Sequence, residues 1–507
     1  MLGKTAMNNN LSLQTLFQKQ INRSSSDFEK NICRFFLNDD LPLESVIDEF
    51  CIKQDFLQVE EQIVRNWKDL LTINLFCALT NTFQTAIAEK VQLQEKQPWN
   101  QSSQYVRSIV ALNHALAKMP IPEVGPHLLE SGAALIDLHE YSPWLALPFT
   151  PQHYEFGIFL SVITLLTKRQ ELKSNVQRLV KWQLNTLDHS GLPLDGLFVQ
   201  EKDGQSIEYF YLSYLLFRAA AILCEDAFYE KISNSALKVL KERLNNKEES
   251  IPPLWPLIEK WLEKFEIKSE VSGSLSECIH DASTALVGFR SPSQHVFCTL
   301  HGSRTGLGTL RFQDIEIVSY GPQYFPLADC EGFGIEGNAL SDQGLRRSII
   351  EWKRNAFSLK GCTRMIDQPS SKSSYFEFGQ YRGIWLEVVQ EFKRPQFLIE
   401  TNFLGLDGWD SVAFSFFIKA QSCVLSDNKT IYPRTLDCYE GDVCPLIMSG
   451  EMGEVRLDHQ GFNGQMQVIP LSGEKSFWGA DFLVSYHLTS DQSRYSWNIG
   501  PVAINQL

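Results

Sequence analysis

The feature that most constrains this chain is a change of hydrophobic period near its middle. From Ser26 to about Phe265, apolar residues recur every three to four positions, the spacing that places one stripe along an α-helix. From about Gly288 onward they alternate, the spacing that gives a β-strand one apolar face. Helices first and strands afterwards predict an α+β chain with segregated layers or domains, not a parallel α/β sheet. At 507 residues the chain is too long for one hydrophobic core. The expected organisation is a polar extension over 1–25, a helical domain over 26–270 and an antiparallel β-sandwich domain over 285–507. The boundary falls in IKSEVSGSLSECIHDAS, Ile267–Ser283.

In the first half, Ser26 and Glu29 form a capping-box pattern, each side chain able to satisfy a free backbone N–H. Helices are predicted at Asp27–Leu37, Val59–Ala88, Ser103–Met119, Pro126–Leu138, Gln152–Thr167, Leu172–Leu187, Ser206–Cys224, Ala227–Leu244 and Trp255–Phe265. FGIFLSVITLL, Phe156–Leu166, has no solvent face, so it must be covered on both sides. Helical hairpins with such inner members make a bundle, a solenoid or an α/α toroid. The lack of a fixed-period repeat speaks against the solenoid.

In the second half, runs such as TLRFQDIEIVSY, IWLEVVQEF, QFLIETNFLG and VAFSFFIKA are bounded by Gly, Asp, Asn and Pro. Nine to twelve strands at this spacing predict an antiparallel sandwich. ALSDQGLRRSIIEWKRN, Ala339–Asn355, reads as a helical insertion. Its Arg346, Arg347, Lys353 and Arg354 make either a basic patch or an ordinary solvated face.

A net charge of −14 argues against nucleic acid as a general partner, because each phosphate contact wants Lys or Arg. The first thirty residues lack an apolar signal-peptide core, and no uninterrupted apolar run approaches the roughly 20 residues of a membrane span. Eleven cysteines without a C-x-x-C pair predict free thiols, and with the polar N-terminus a cytoplasmic location. GFGIEG, Gly332–Gly337, matches G-x-G-x-x-G but lacks the strand–helix context of a nucleotide site. The ten histidines show no metal-ligand spacing, so neither metal nor cofactor is expected.

Two stretches hold the candidate chemistry. PWLALPFTPQHYEFGIFL, Pro143–Leu160, sets Trp144 and Tyr154 beside His153 and Glu155 at a helix start, the aromatic and polar mixture that a sugar ring needs. The structural alternative is a helix N-terminus with core aromatics and a carboxylate favoured by the helix dipole. SGLPLDGLFVQEKDGQSIEYFYLSYLLFRAAAIL, Ser190–Leu223, has two Asp-Gly turns and then a helix on which Glu208, Tyr211 and Tyr214 share a face. That face lines either a site or a packed helix pair. The Asp195–Gly204 loop is expected to be a rim at one end of the helical domain, facing the β-domain, with His153 opposite Tyr211.

Three stretches in this order resemble the hyaluronate and chondroitin AC lyases. His153-Tyr-Glu-Phe-Gly-Ile158 is similar to their aromatic patch N-W-W-D-W-E-I-G, and Asp195-Gly-Leu-Phe-Val-Gln200 to their D-G-S-F-[IV]-Q-H. HVFCTLHGSRTGLG, His295–Gly308, resembles the strand pair with S-S-R that opens their β-domain, and IEGNAL, Ile335–Leu340, their N-G-E-N. The resemblance implies an α/α toroid followed by antiparallel β-sheets, a plan that heparinase-type lyases share. It also implies cleavage of uronate-containing, glycosaminoglycan-like polysaccharides by β-elimination in a cleft between the two domains. The lyase reading it implies makes Tyr211 the acid/base, by a one-residue shift, and His153 or His114 the neutraliser of the substrate carboxylate. It makes Trp144 and Tyr154 the stacking platform, with Glu155, Arg304 and Asn338 beside them in substrate binding.

The sequence departs from that family where the chemistry is concentrated. Glu201 stands at the position of the family's catalytic His, and the catalytic Tyr position falls on Phe210, one residue from Tyr211. A carboxylate where charge must be neutralised opposes elimination. Glu201, Glu208 and Asp195 fit hydrolysis by paired carboxylates instead, or a non-catalytic relative that binds a glycan or a protein.

Overall fold

A computed structural model of the chain describes residues 60–80, 91, 104–120, 151–194, 207–246, 251–267, 273–281, 286–303, 306–324, 349–353, 356–366, 381–406, 412–460, 464–471 and 479–502. Before residue 267 these residues are helical, and after 277 they are mainly strand. The chain is therefore α+β.

The described helices are α1 (Glu60–Thr80), α2 (Gln104–Leu116), α3 (Pro151–Thr167), α4 (Gln170–Gln183), α5 (Ile207–Cys224), α6 (Ala227–Asn246) and α7 (Leu254–Leu262). Pro151 opens α3 where its missing N–H costs nothing. Asp226 opens α6 by accepting the N–H of Phe228 at 2.9 Å. Two hairpins recur, α3/α4 and α5/α6, each turned by a residue in the left-handed region: Lys168 (φ 56°) and Glu225 (φ 54°).

Side-chain contacts fix the directions. Across the first hairpin His153 meets Trp182, and across the second Phe217 meets Tyr229. Between hairpins, Tyr154 of α3 meets Tyr209 of α5. A Cβ on Gly157 would come within 2.7 Å of both Leu179 of α4 and Leu216 of α5, so glycine sets how closely the three helices approach. Tyr154 with Tyr209 and Gly157 with Leu216 advance together, so α3 and α5 run in the same direction. Glu208 with Trp255 and Tyr211 with Glu259 place α7 parallel to α5. The beginnings of α3, α5 and α7 thus lie at one end of the helical unit. By length and composition α5 could cross a membrane, but here it is buried among α3, α6 and α7.

The described strands number eighteen, more than the nine to twelve expected, and form two antiparallel nine-stranded sheets. The first has the order β1 (Cys278–Asp281), β2 (Leu286–Arg290), β3 (Gln294–Ser303), β4 (Gly306–Phe312), β5 (Ile315–Tyr324), β10 (Val412–Lys419), β17 (Phe482–His487), β16 (Gln465–Pro470), β13 (Tyr439–Asp442). The second has the order β12 (Thr430–Ile431), β11 (Ser422–Leu425), β14 (Leu446–Ser449), β15 (Glu454–Gln460), β18 (Arg494–Pro501), β9 (Gln396–Leu404), β8 (Tyr381–Lys393), β7 (Ala356–Ile366), β6 (Ile349–Lys353). One continuous core lies between them, with Phe416, Tyr486 and Trp497 among its large side chains.

The two sheets differ in their second faces. Strand β10, VAFSFFIK, is buried at nearly every position, and a second apolar cluster of Val318, Phe417, Leu471, Ala480 and Leu483 covers that side. Strand β9 alternates between buried and open positions, which leaves the outer face of the second sheet polar.

One expectation is corrected. Ile349–Lys353, read above as part of a helical insertion, is strand β6, paired with Ala356–Lys360 of β7. Two β-branched residues and a tryptophan in five positions suit a pleated edge, and cross-strand pairing outweighs the local helical spacing. Arg346, Arg347 and Arg354 lie outside the described residues.

The chain divides into two compact units, and Asn185–Leu194, which lies between helices in sequence, belongs with the strands. Arg290 of β2 explains this: it is buried and donates to the carbonyls of Leu187 and Ser276, each at 2.7 Å. Asp188 shapes the segment by accepting the N–H groups of Ser190 (2.7 Å) and Leu192 (3.0 Å). His189 at its tip receives Arg311 of β4 at 3.3 Å.

Candidate functional site

The polar side chains at the helix-start end fall into two linked groups. In the first, Glu155 of α3 accepts a hydrogen bond from Tyr105 of α2 and an ion pair from Lys68 of α1 at 2.6 Å. The Glu155 side chain is only 7% exposed, so removing Lys68 would strand a charge. The Lys68 ammonium also lies 5.6 Å and 5.8 Å from the ring centroids of Tyr105 and Trp255. Burial, then the charges of Glu155 and Glu208, push the Tyr105 phenol well above its ordinary range.

In the second group, Glu259 of α7 accepts hydrogen bonds from both Tyr211 and Tyr214 of α5, the latter at 2.9 Å. One turn earlier on α7, the Trp255 indole donates to Glu208 at 2.6 Å. Burial raises the Glu259 carboxyl above its ordinary value, with the two phenol hydrogen bonds acting in the opposite direction. Burial and Glu259 together raise Tyr211 and Tyr214 well above 10. The outcome is a buried carboxylate with two phenols that keep their protons, an arrangement able to hold and pass a proton.

The expected site residues distribute as follows. Glu208, Tyr211 and Tyr214 all face α7. Tyr154 packs edge-on against Tyr209 with centroids 5.2 Å apart. His153 turns to the other side of α3, its ring 5.2 Å from that of Trp182, so its neighbours differ from those of Tyr211. Both His153 and Tyr211 are buried. The Nδ1 of His114 lies 2.8 Å from the carbonyl of Pro120, just beyond α2. Trp144, Glu201, Arg304 and Asn338 lie outside the described residues, as does Asp195.

Sequence reasoning missed Lys68, Tyr105 and Glu259. Glu259 had a signal: in LWPLIEKWL it is the carboxylate that sits on an otherwise apolar helix face. Lys68 and Tyr105 gave none, since a lysine and a tyrosine on amphipathic helices are ordinary. Among the described residues no group of three or more His, Cys, Asp or Glu is placed to hold a metal. The eight described cysteines are free thiols.

Fold and site together define an α+β protein with a helical-hairpin unit and a two-sheet antiparallel unit, with carboxylate–phenol groups at the helix starts. No protein-family model matches the chain. No curated protein matches it either. Solved structures similar to it include the Streptomyces coelicolor A3 chondroitin AC lyase in complex with chondroitin sulphate. That pair has TM-score 0.48 and 10% identity, over 98% of this chain and 76% of the lyase. A Paenibacillus xanthan lyase gives TM-score 0.32 and 9% identity over 98% of this chain, which spans 60% of that enzyme. A chondroitinase AC lyase described with oligosaccharide complexes gives TM-score 0.31 and 9% identity over 96% and 83% of the two chains.

Proposed function

We propose that this chain is a polysaccharide-lyase-like, glycan-acting protein whose helical hairpins close into an α/α toroid and whose ligand is an acidic polysaccharide or oligosaccharide. The parallel run of α3, α5 and α7, with α4 and α6 returning outside them, supports the toroid. The three lyase-like stretches in order along the chain support the ligand class. The observation that carries the reading is the Tyr211–Glu259–Tyr214 group.

β-Elimination removes the proton on the carbon next to the uronate carboxylate, forms a carbon–carbon double bond and expels the glycosidic oxygen, which takes up a proton. In this reading Tyr211 receives the carbon-bound proton while its own phenol proton passes to Glu259. Glu259 is placed for that relay because it is the acceptor of the Tyr211 phenol hydrogen bond. The departing oxygen then takes the proton back from Tyr211, which restores the pair. The burial of Tyr211 and His153, with Glu201 at the position of an imidazole, favours a second reading: a relative that binds the glycan without cleaving it.

The test is incubation of the full chain with hyaluronan, chondroitin and heparan sulphate while following the ultraviolet absorbance of an unsaturated uronate. Elimination gives rising absorbance, reduced at least about 100-fold by Tyr211→Phe. New reducing ends without absorbance mean hydrolysis and overturn the lyase reading. Binding without either signal establishes the second reading.

A further inference from the structure

The outer face of the second sheet carries a concavity of about 810 Å³ that the helix-start site does not use. Strand register builds its floor. Lys360, Val389, Glu400, Ser496 and Gln460 are successive cross-strand neighbours on β7, β8, β9, β18 and β15, forming one row. Cys362, Glu387, Asn402 and Arg494 form a second row, two residues along each strand. Val388 and Tyr495 between the rows, and Leu386, Ile399 and Trp497 beside them, belong to the sandwich core. That alternation fixes both rows on the open side.

Three properties of this floor select a ligand. Its charges balance, Lys360 and Arg494 against Glu387 and Glu400, so a polyanion would meet two carboxylates near the middle of the rows. Its polar groups are mixed donors and acceptors, and Asn402 is held in orientation by its 2.7 Å hydrogen bond to Glu387. Its apolar surface comes in small pieces. Val389 lies in the floor, and the cross-strand pair Trp385 and Leu404 forms a ledge beside the second row, with Leu404 43% exposed. Hydroxyl groups, each both donor and acceptor, on rings with apolar faces match this mixture. The step between strands, about 4.8 Å, is close to the advance of one pyranose along an extended chain. A peptide strand would seek a sheet edge rather than a face.

We propose that this groove binds a neutral, hydroxyl-rich oligosaccharide segment lying across strands β7, β8, β9, β18 and β15. The groove is a glycan-holding surface distinct from the helix-start site. It stands on its own lining and does not require that the protein cleave anything.

Isothermal titration calorimetry of the full chain with neutral β-linked gluco-, xylo- and mannohexaose, and with chondroitin sulphate hexasaccharide, tests this. At least one neutral hexaose should bind with an affinity indifferent to salt. Glu400→Gln should weaken that binding about tenfold by replacing a charged acceptor, and Trp385→Ala should weaken it as well. Should Trp385→Ala fail to fold, the isosteric Glu400→Gln reads the same groove. Chondroitin hexasaccharide binding, if present, should be unaffected by Glu400→Gln. The proposal is overturned if no neutral hexaose binds at millimolar concentration. It is equally overturned if binding survives both substitutions unchanged, or if only the sulphated probe binds and Glu400→Gln strengthens it.

Discussion

The phenol of Tyr211 donates to the carboxylate of Glu259, a residue 48 positions away in sequence, and both groups are buried. With Tyr214 as a second donor, Glu259 has both oxygens satisfied inside the helical unit. The pair makes stability depend on pH. Burial raises the folded-state carboxyl above its unfolded value, so the folded chain holds this proton more tightly. The stabilising contribution is therefore complete below the ordinary carboxyl range, around pH 4.5, and is lost as pH rises through the higher folded value. Glu259→Gln removes this dependence while keeping the shape. Thermal unfolding of the two proteins from pH 4 to 8 should show the variant gaining on the wild type as pH rises. A constant difference would contradict a raised carboxyl.

His295 provides a dependence of the opposite sign. Its ring is buried, and burial followed by the positive charge of Arg311 pulls it well below 6.5. The folded chain thus binds this proton less readily than the unfolded chain, and stability is lost as pH falls below about 6.5. His295→Gln should flatten the acid side of the stability profile between pH 6.5 and 5. An unchanged slope there would show that the ring does not titrate on unfolding.

Arg290 fastens Asn185–Leu194 to the strands through its hydrogen bond to the Leu187 carbonyl, while its second bond from the same charged group goes to the Ser276 carbonyl just before β1. Burial pulls its guanidinium down to about 10, which leaves it charged at neutral pH. Arg290→Met keeps the aliphatic volume but leaves two carbonyls without a donor, a loss of about 3 kcal/mol. Urea unfolding should show that loss. Hydrogen exchange should show faster opening at the amides of Asp188, Leu192 and Leu194, which are bonded within the segment. Unchanged exchange would mean that other contacts hold it.

Gly157→Ala tests the packing of α3. Alanine is the better helix former by about 1 kcal/mol, but its Cβ would lie 2.7 Å from the ends of both Leu179 and Leu216. Overpacking of this kind costs about 1–3 kcal/mol, so a net loss of about 1 kcal/mol is expected, and Gly157→Val should lose more. A stabilised alanine variant would show that the two leucines move aside freely.

The sequence by itself determined what depends on local geometry. A 3.6-residue period makes a helix stripe and a two-residue period makes a strand face, so the passage from helices to strands was legible over most of the described residues. The strands of the two sheets differ in pattern once their places are known: VAFSFFIK, apolar at nearly every position, is covered on both faces, and QFLIETNFL, which alternates, is covered on one. Local spacing misled at Ile349–Lys353, where the pairing partner decided for strand. Only the tertiary structure decided which polar groups meet. Glu155 finds Tyr105 fifty positions away, Glu259 finds Tyr211, and Arg290 reaches Leu187 across 103 positions. Such partners are chosen by the packing of whole elements against one another, and each buried charge or phenol accepts whichever complementary group that packing brings within reach. Periodicity does not record that choice.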